Sequence, residues 1–405
     1  MVEIWLPYGS SEIPARIPEE RLVEILKPES KSSVSDPVAE VKRLVESNPE
    51  LLDRAKGAER ICLALGRSAN APLTSSVART LIGGLITAGV QPSSIDLLRT
   101  EDAPEIDQIL LGDINVTSHD PSSSALAPVK DSKLEFPIAL NPIFTQADLR
   151  IILGELRPHH FLGYSGLSDV VFPGLASRDS ALNQLSDRKE VVVSDLRRER
   201  IEIADSFSNL FGLGFVLGPN LSPVKFALGS VQDCLKDLEK AVLEVYSKKV
   251  DRPADIVVMS AGGKPWDKSL LTAIEALPAG LPALKRSGAL ILAAECPSGH
   301  GDTEFYQWCA EHKEARYLEA RLRHHFNYAG LKAAFLLRTL ESHRIYLVST
   351  IPDHYVDNVF GMRPAATVNS ALQAVQHSLG SGSTISVIPD ASSVLPILAK
   401  ANDPK

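Results

Sequence analysis

The sequence predicts two α/β domains built on mostly parallel sheets. Three observations carry this. Short apolar runs alternate with segments of helical periodicity, the pattern of strands joined by crossover helices. At 405 residues the chain is too long for one comfortable core. The composition resets at Lys248-Lys249-Val250-Asp251-Arg252-Pro253, a charged, proline-containing stretch of the kind that separates domains. The expected domains are 1–250 and 255–388, with a C-terminal helix within 390–405 that could pack back on the first.

The elements follow in order. Val2–Leu6 alternates and reads as a strand, closed by Pro7-Tyr8-Gly9, with Glu12–Ile17 as a hairpin partner. Ser35-Asp36 before Pro37 marks a helix start, and Val38, Val41, Leu44 and Val45 recur at helical spacing. Arg60–Leu65 is a short buried strand, Gly66–Pro72 a loop, Leu73–Ala88 a helix stopped by Gly89, and Ile95–Leu98 the next strand. Pro104–Leu111 is expected as a helix, Asp113–His119 as a strand, and 120–134 as a Ser/Pro-rich loop. Pro137–Leu140 and Leu149–Leu153 are strands around an Asn141-Pro142 turn. Arg178–Leu185 and Leu196–Glu202 read as helices, Leu210–Leu217 as a strand or buried turn with glycines at alternate positions, and Gln232–Lys248 as an amphipathic helix. In the second half, Asp255–Met259, Ala289–Ala294, Arg344–Ser349 and Thr384–Ile388 are strands. Lys268–Leu277, Glu304–Glu311, Ala329–Thr339 and Ala366–His377 are helices, and Val394–Ala401 is expected as the last one.

Composition narrows the function classes. Hydrophobic residues make up 44% and charged residues 23%, ordinary for a soluble globular protein. A net charge of −8 argues against a nucleic-acid backbone or an anionic membrane as partner. Cys62, Cys234, Cys296 and Cys309 are far apart and form no CxxC pair, so neither a zinc knuckle nor a disulfide framework is expected. The start lacks a basic region followed by a long apolar run, and no run reaches the roughly 18–20 apolar residues of a membrane span. A cytoplasmic protein is the expectation.

The segment Gly154–Gly174 is the strongest candidate for a site. It follows the apolar run Leu149–Leu153 and carries His159, His160 and the Gly163-Tyr164-Ser165-Gly166 turn. Open α/β sheets place ligands at the carboxyl ends of their strands. Pro158 favours extended backbone, so of the two histidines one at most faces a given cleft. That one could move a proton; otherwise one caps the strand and the other sits on the surface. Gly66–Pro72, with Arg67, Ser68 and Asn70, is either a phosphate-holding loop at a helix start or a plain strand-to-helix connection. Ser260–Asp267, with Gly262, Gly263 and Lys264, is either a close-approach loop for a ligand or a tight turn with solvated lysines. Ser298–Asp302 is the equivalent loop after the next strand. His324-His325 has no metal-ligand spacing with other His or Cys and is read as surface; no residues are assigned to a metal.

At these residues the chain resembles the lactate racemase family, the nickel-pincer nucleotide-dependent 2-hydroxy-acid racemases. The similarity runs through Leu6-Pro7-Tyr8-Gly9, Pro158–Gly166, Phe172-Pro173-Gly174-Leu175-Ala176, Ala261-Gly262-Gly263-Lys264-Pro265-Trp266-Asp267, Gly299-His300-Gly301 and Phe305-Tyr306-Gln307-Trp308. The resemblance implies two α/β domains with the cofactor in the cleft between them. It implies hydride transfer from substrate C2 to the cofactor and back, two histidines alternating as base and acid, a lysine tether and a nickel-ligating histidine. His159 falls on one catalytic histidine, and Arg67 on the arginine of the first-domain phosphate-side loop. The other catalytic histidine has no counterpart in Arg99–Pro104. The family's Asp three residues before the arginine is Ala64, the tethering lysine is Asp169, and the nickel-ligating histidine falls near Gln184-Leu185. The family's lysine on the helix after the Gly-Gly loop is Glu275.

The resulting expectation is a racemase or epimerase of a 2-hydroxy acid or related polar molecule, with His159 and Asp169 doing acid–base work. Arg67, Ser68, Asn70, Gly163, Tyr164, Ser165, Gly166, Gly262 and Gly263 would hold a nickel-pincer nucleotide without the covalent tether. Lys264 and Trp266 would meet the substrate. The alternatives are a binding or regulatory protein on the same scaffold, and a lyase or epimerase of altered chemistry in the same cleft.

Overall fold

The computed structural model describes residues 1–29, 31–106, 114–123, 125–129, 136–159, 163–184, 193–322 and 327–398. In chain order the first elements are β1 (Val2–Tyr8), β2 (Ser11–Ile17), β3 (Leu22–Ile25), α1 (Pro37–Glu46), α2 (Pro49–Lys56), β4 (Ile61–Leu65) and α3 (Ala71–Thr87). Then come β5 (Ile95–Arg99), β6 (Asn115–Ser118), β7 (Ala127–Pro128), β8 (Ala139–Leu140), α4 (Pro142–Thr145) and β9 (Leu149–Glu155). The hairpin β10 (Arg157–His159) and β11 (Gly163–Ser165) follows, then α5 (Ser168–Val171), α6 (Arg178–Asn183), α7 (Val193–Asp205), β12 (Leu210–Leu217), β13 (Pro223–Gly229) and α8 (Val231–Tyr246). The second half holds β14 (Ser247–Val250), β15 (Ala254–Ser260), α9 (Leu270–Ala273), α10 (Leu277–Gly280), β16 (Leu284–Ala293), α11 (Thr303–Glu311) and α12 (Ala315–Leu322). It ends with α13 (Tyr328–Ser342), β17 (Arg344–Val348), α14 (Asp353–Asn358), β18 (Arg363–Pro364), α15 (Val368–Leu379), β19 (Ile385–Ile388) and β20 (Leu395–Leu398).

The chain forms two units. The first comprises Ser30–Leu185 and Glu190–Val245; the second contains Met1–Glu29 and Tyr246–Lys405. The first unit's sheet has the order β13-β12-β9-β4-β5-β6, parallel except for β13. All residues of β4 and β9 are buried, as expected of central parallel strands covered on both faces. Ile61, Leu63, Leu65, Ile151 and Leu153 pack under Val41 and Val45 of α1, Leu51 of α2, and Val77 and Leu81 of α3. The helix starts follow the sequence logic. Asp36 and Asn70 accept backbone N–H bonds from Ala39 and Leu73, and a proline lies in each first turn.

The second unit's sheet has the order β18-β17-β16-β15-β19-β3, all parallel. Here the sequence reading needs correction. Residues 1–29, expected in the first domain, build into this unit. Strand β3 pairs with β19 through Leu22 and Ile385. The β1–β2 hairpin buries Ile4, Leu6, Ala15 and Ile17 against Ile256, Val258 and Ile291. The C-terminal helix is also corrected. Leu395–Leu398 is a strand paired in parallel with β14, and residues 399–405 lie outside the described ones. A short apolar run does not by itself separate helix from strand, and Pro396 suits an edge strand. Of the Pro104–Leu111 helix, residues 104–106 are not helical and the rest lie outside the described residues. All four cysteines are buried and unpaired. Among the described residues no helix is long and apolar enough to cross a membrane.

Candidate active site

In the first sheet the chain leaves β4 toward β5 and β6 on one side, then returns to place β9 on the other. The strand order reverses between β4 and β9, and crevices at such reversals are where α/β sheets take ligands. A pocket of about 50 Å³ lies there. That is room for about three to five waters at ~10–15 Å³ each, enough for the head of a small acid. It is lined by Arg67 after β4, Thr100 and Asp102 after β5, Glu155 at the end of β9, Arg157 of β10, Ser165 of β11 and Asp169 of α5.

The loop that closes the pocket is held by a strained residue. Leu167 has φ 30° although it carries a side chain, and that side chain is fully buried. Such a conformation costs about 1–3 kcal/mol and persists only when its surroundings impose it. Here they do. Leu167 fits against Gly212 and Gly214 of β12, where added Cβ atoms would lie 3.4 and 2.8 Å from its methyl groups. Beside it, Gly166 has φ 141°, and a Cβ there would fall 2.2 Å from the Glu155 carbonyl oxygen. Only glycine lets the loop lie on the end of β9.

Glu155 was not singled out in the sequence, yet it is the pocket's most enclosed charged group, 5% exposed. Its Oε2 accepts the Ala69 N–H at 2.7 Å. Burial raises its pKa above the ordinary carboxylate value; the Ala69 N–H, Arg157, Arg67 and the Ser68 hydroxyl pull the other way. The available signal was a carboxylate closing a central strand whose other residues, Arg150 aside, are apolar.

Asp169, at the start of α5, is already engaged. Its Oδ2 accepts the Gly166 N–H at 3.1 Å, and Arg200 of α7 donates to Oδ1 at 3.3 Å. The same Arg200 donates to Gln184 Oε1 at 3.4 Å. Gln184 is 1% exposed and donates to the Leu196 carbonyl and to Glu199, both at 3.2 Å. These residues do not fit the cofactor in the form the resemblance implies. The tether position is a carboxylate in an ion pair, and the nearest described residue to the nickel-ligand position is an amide bonded within the protein. Among the described residues no group of three or more His, Cys, Asp or Glu could hold a metal ion.

The other expected residues divide. Arg67, Ser165, Gly166 and Asp169 line the pocket. His159, half-buried on β10 opposite Gly163, is not among the lining residues; His160 lies outside the described residues, as do His324 and His325. Tyr164 packs under Arg197 at 4.8 Å. Ser68 and Asn70 serve the loop itself: the Ser68 hydroxyl accepts the Asn70 N–H at 3.1 Å, and Asn70 caps α3. With the Ala69 N–H given to Glu155, two donors that could have faced a phosphate are spent internally.

In the second unit, the Gly262-Gly263 loop follows β15 and approaches the N-terminal turn. A Cβ on Gly263 would lie 3.0 Å from the Gly9 carbonyl oxygen, which accepts the Lys264 N–H at 2.8 Å. Asp267, 1% exposed, accepts the Gly9 N–H at 2.6 Å and the Glu295 N–H at 3.1 Å. The Lys264 side chain is exposed and Trp266 half-buried. Glu275 forms an ion pair with the buried Lys332 of α13.

Comparison with known proteins agrees with this architecture. The sequence matches the lactate racemase N-terminal domain over residues 8–184 and the lactate racemase C-terminal domain over residues 249–396. It is 29% identical to a lactate racemase of Thermoanaerobacterium thermosaccharolyticum, over 98% of this chain and 99% of that protein. A lactate racemase of Lactiplantibacillus plantarum is 24% identical over 63% of each chain. The solved structure of the T. thermosaccharolyticum lactate racemase apoprotein superimposes with a TM-score of 0.87 at 25% identity, covering 98% of this chain and all of that one. A crystal structure of a Thermotoga maritima protein shares the fold, with a TM-score of 0.62 at 16% identity and 91% of this chain covered. Two domain matches in order, full-length similarity and the same fold place this chain in the lactate racemase family.

Proposed function

We propose that this protein binds a 2-hydroxy acid, or a related small polar carboxylic acid, at the strand-order reversal of its first unit, and does so without a covalently held nickel-pincer nucleotide. The Asp169–Arg200 ion pair carries the reading. A carboxylate cannot form the bond a lysine forms, and this one is committed to a guanidinium and a backbone N–H. What remains at the pocket suits a small acid. Arg67 and Arg157 supply cations for its carboxylate, and the Thr100 and Ser165 hydroxyls are of the right kind to meet its hydroxyl.

The test is to produce the chain together with the cofactor's maturation enzymes. Intact mass, nickel content, racemisation of D- and L-lactate, and calorimetric binding of both enantiomers are then measured. The expected result is an unmodified mass, saturable binding and no racemisation. A covalent adduct, or turnover with stoichiometric nickel, would sink the proposal. A second reading is favoured by His159, which stands at a catalytic-histidine position, and by Arg67 in the pocket. In it the protein is a racemase or epimerase that holds the nucleotide non-covalently. The same experiment separates the two, because this reading requires turnover and nickel with an unmodified mass.

A further inference from the structure

The pocket's charges are nearly balanced, and the balance turns on one residue. Facing the space from the loop after β4 is Arg67, from the loop after β5 Asp102, from β9 Glu155, from β10 Arg157, and from α5 Asp169 with its partner Arg200 of α7. Among the described residues, three guanidinium groups oppose three carboxyl groups. With every carboxyl ionised, the cluster offers an incoming anion no net attraction. With one carboxyl neutral, it carries a single positive charge in a small, partly dehydrated space.

The three carboxyl groups are not equivalent. Asp169 is already engaged, one oxygen accepting from Arg200 and the other from the Gly166 N–H. Asp102 is exposed and accepts the Thr100 hydroxyl at 2.9 Å. Glu155 alone is enclosed, at the end of the central strand with the Gly166 loop lying on its carbonyl. We propose that an anionic ligand enters this pocket together with a proton, and that Glu155 carries that proton. This rests on the binding reading above and adds its charge class: a monoanionic head group taken up with a proton. Burial already moves Glu155 toward its neutral form, in the required direction. A second negative charge arriving beside it completes the shift. The neutral carboxyl then turns from acceptor to donor and can hydrogen-bond the bound anion.

The experiment is calorimetric titration of the full chain with L-lactate, D-lactate and formate across a pH series, in paired buffers of different ionisation heat. Wild-type protein is expected to take up about one proton per ligand, and binding weakens about tenfold for each pH unit above the Glu155 titration, the slope of one coupled proton. Glu155→Gln, neutral at every pH, is expected to bind with no proton uptake and a flat profile. If that variant fails to fold, the wild-type proton count decides alone. Binding without proton uptake, or an unchanged profile in Glu155→Gln, overturns this proposal and leaves the binding reading standing. Absence of binding by all three probes at every pH overturns both.

Discussion

His119 shows how one side chain is fixed by its surroundings. It follows β6, is 5% exposed, and has both ring nitrogens engaged: one with the Ala176 carbonyl at 3.0 Å, the other with the Asn141 amide at 3.2 Å. A carbonyl can only accept, so Nε2 carries the hydrogen and Nδ1 accepts from Asn141. Burial lowers its pKa; the Ala176 carbonyl, Asp120 and Glu101 oppose the shift. The folded protein therefore binds the proton more weakly than the unfolded chain. The stabilisation is full above the unfolded value of about 6.5 and is lost as pH falls through it toward the lower folded value. His119→Ala is expected to cost about 1–3 kcal/mol at neutral pH, since it leaves a buried amide and carbonyl unpaired. The gap between variant and wild type, measured by urea unfolding at several pH values, should narrow as pH drops below about 6.5. A gap that is constant or widens would refute the neutral assignment. Glu155 belongs to the same scale and was missed for an instructive reason. Its one local mark is its place at the end of a buried strand; the Ala69 N–H that it accepts comes from a helix start distant in sequence.

At the scale of elements, alternating strands and helices were readable because their periodicities are local. Leu210–Leu217, readable as a strand or a buried turn, is a strand, but the purpose of its glycines was not readable, since that depends on Leu167 arriving from elsewhere. Gly214 tests the relationship. An added Cβ would stand 2.4 Å from a methyl of Leu238 and 2.8 Å from one of Leu167. Gly214→Ala is expected to destabilise by about 1–3 kcal/mol through overpacking and to weaken lactate binding by displacing the loop that carries Gly166 and Asp169. Thermal unfolding and calorimetry together check this. Stability lost with binding intact would mean that the notch supports the core and not the pocket. The misread C-terminal strand has the complementary cause: β20 is defined by its partner β14, and the run Val394–Leu398 alone does not choose between helix and strand.

For the molecule as a whole, the sequence suggested a change of domain near residue 250 but hid that the second unit is built from both ends of the chain. The pairing of Leu22 with Ile385 leaves no trace in either local pattern. The two units should therefore differ as fragments. Residues 30–245 contain the complete first sheet, and expressed alone they should unfold cooperatively in urea. Residues 246–405 alone lack β3 and the hairpin that covers Ile256, Val258 and Ile291, and should be insoluble or only partly structured by circular dichroism. A well-folded 246–405 fragment would show the N-terminal segment to be dispensable. The pairing also sets a schedule for biosynthesis. Strand β3 leaves the ribosome roughly 360 residues before its partner β19. At ~5–20 residues per second, that is about 20–70 s in which the leading hairpin's apolar side lacks the complete sheet that covers it. During that interval the leading hairpin is a natural client for a chaperone waiting at the exit tunnel.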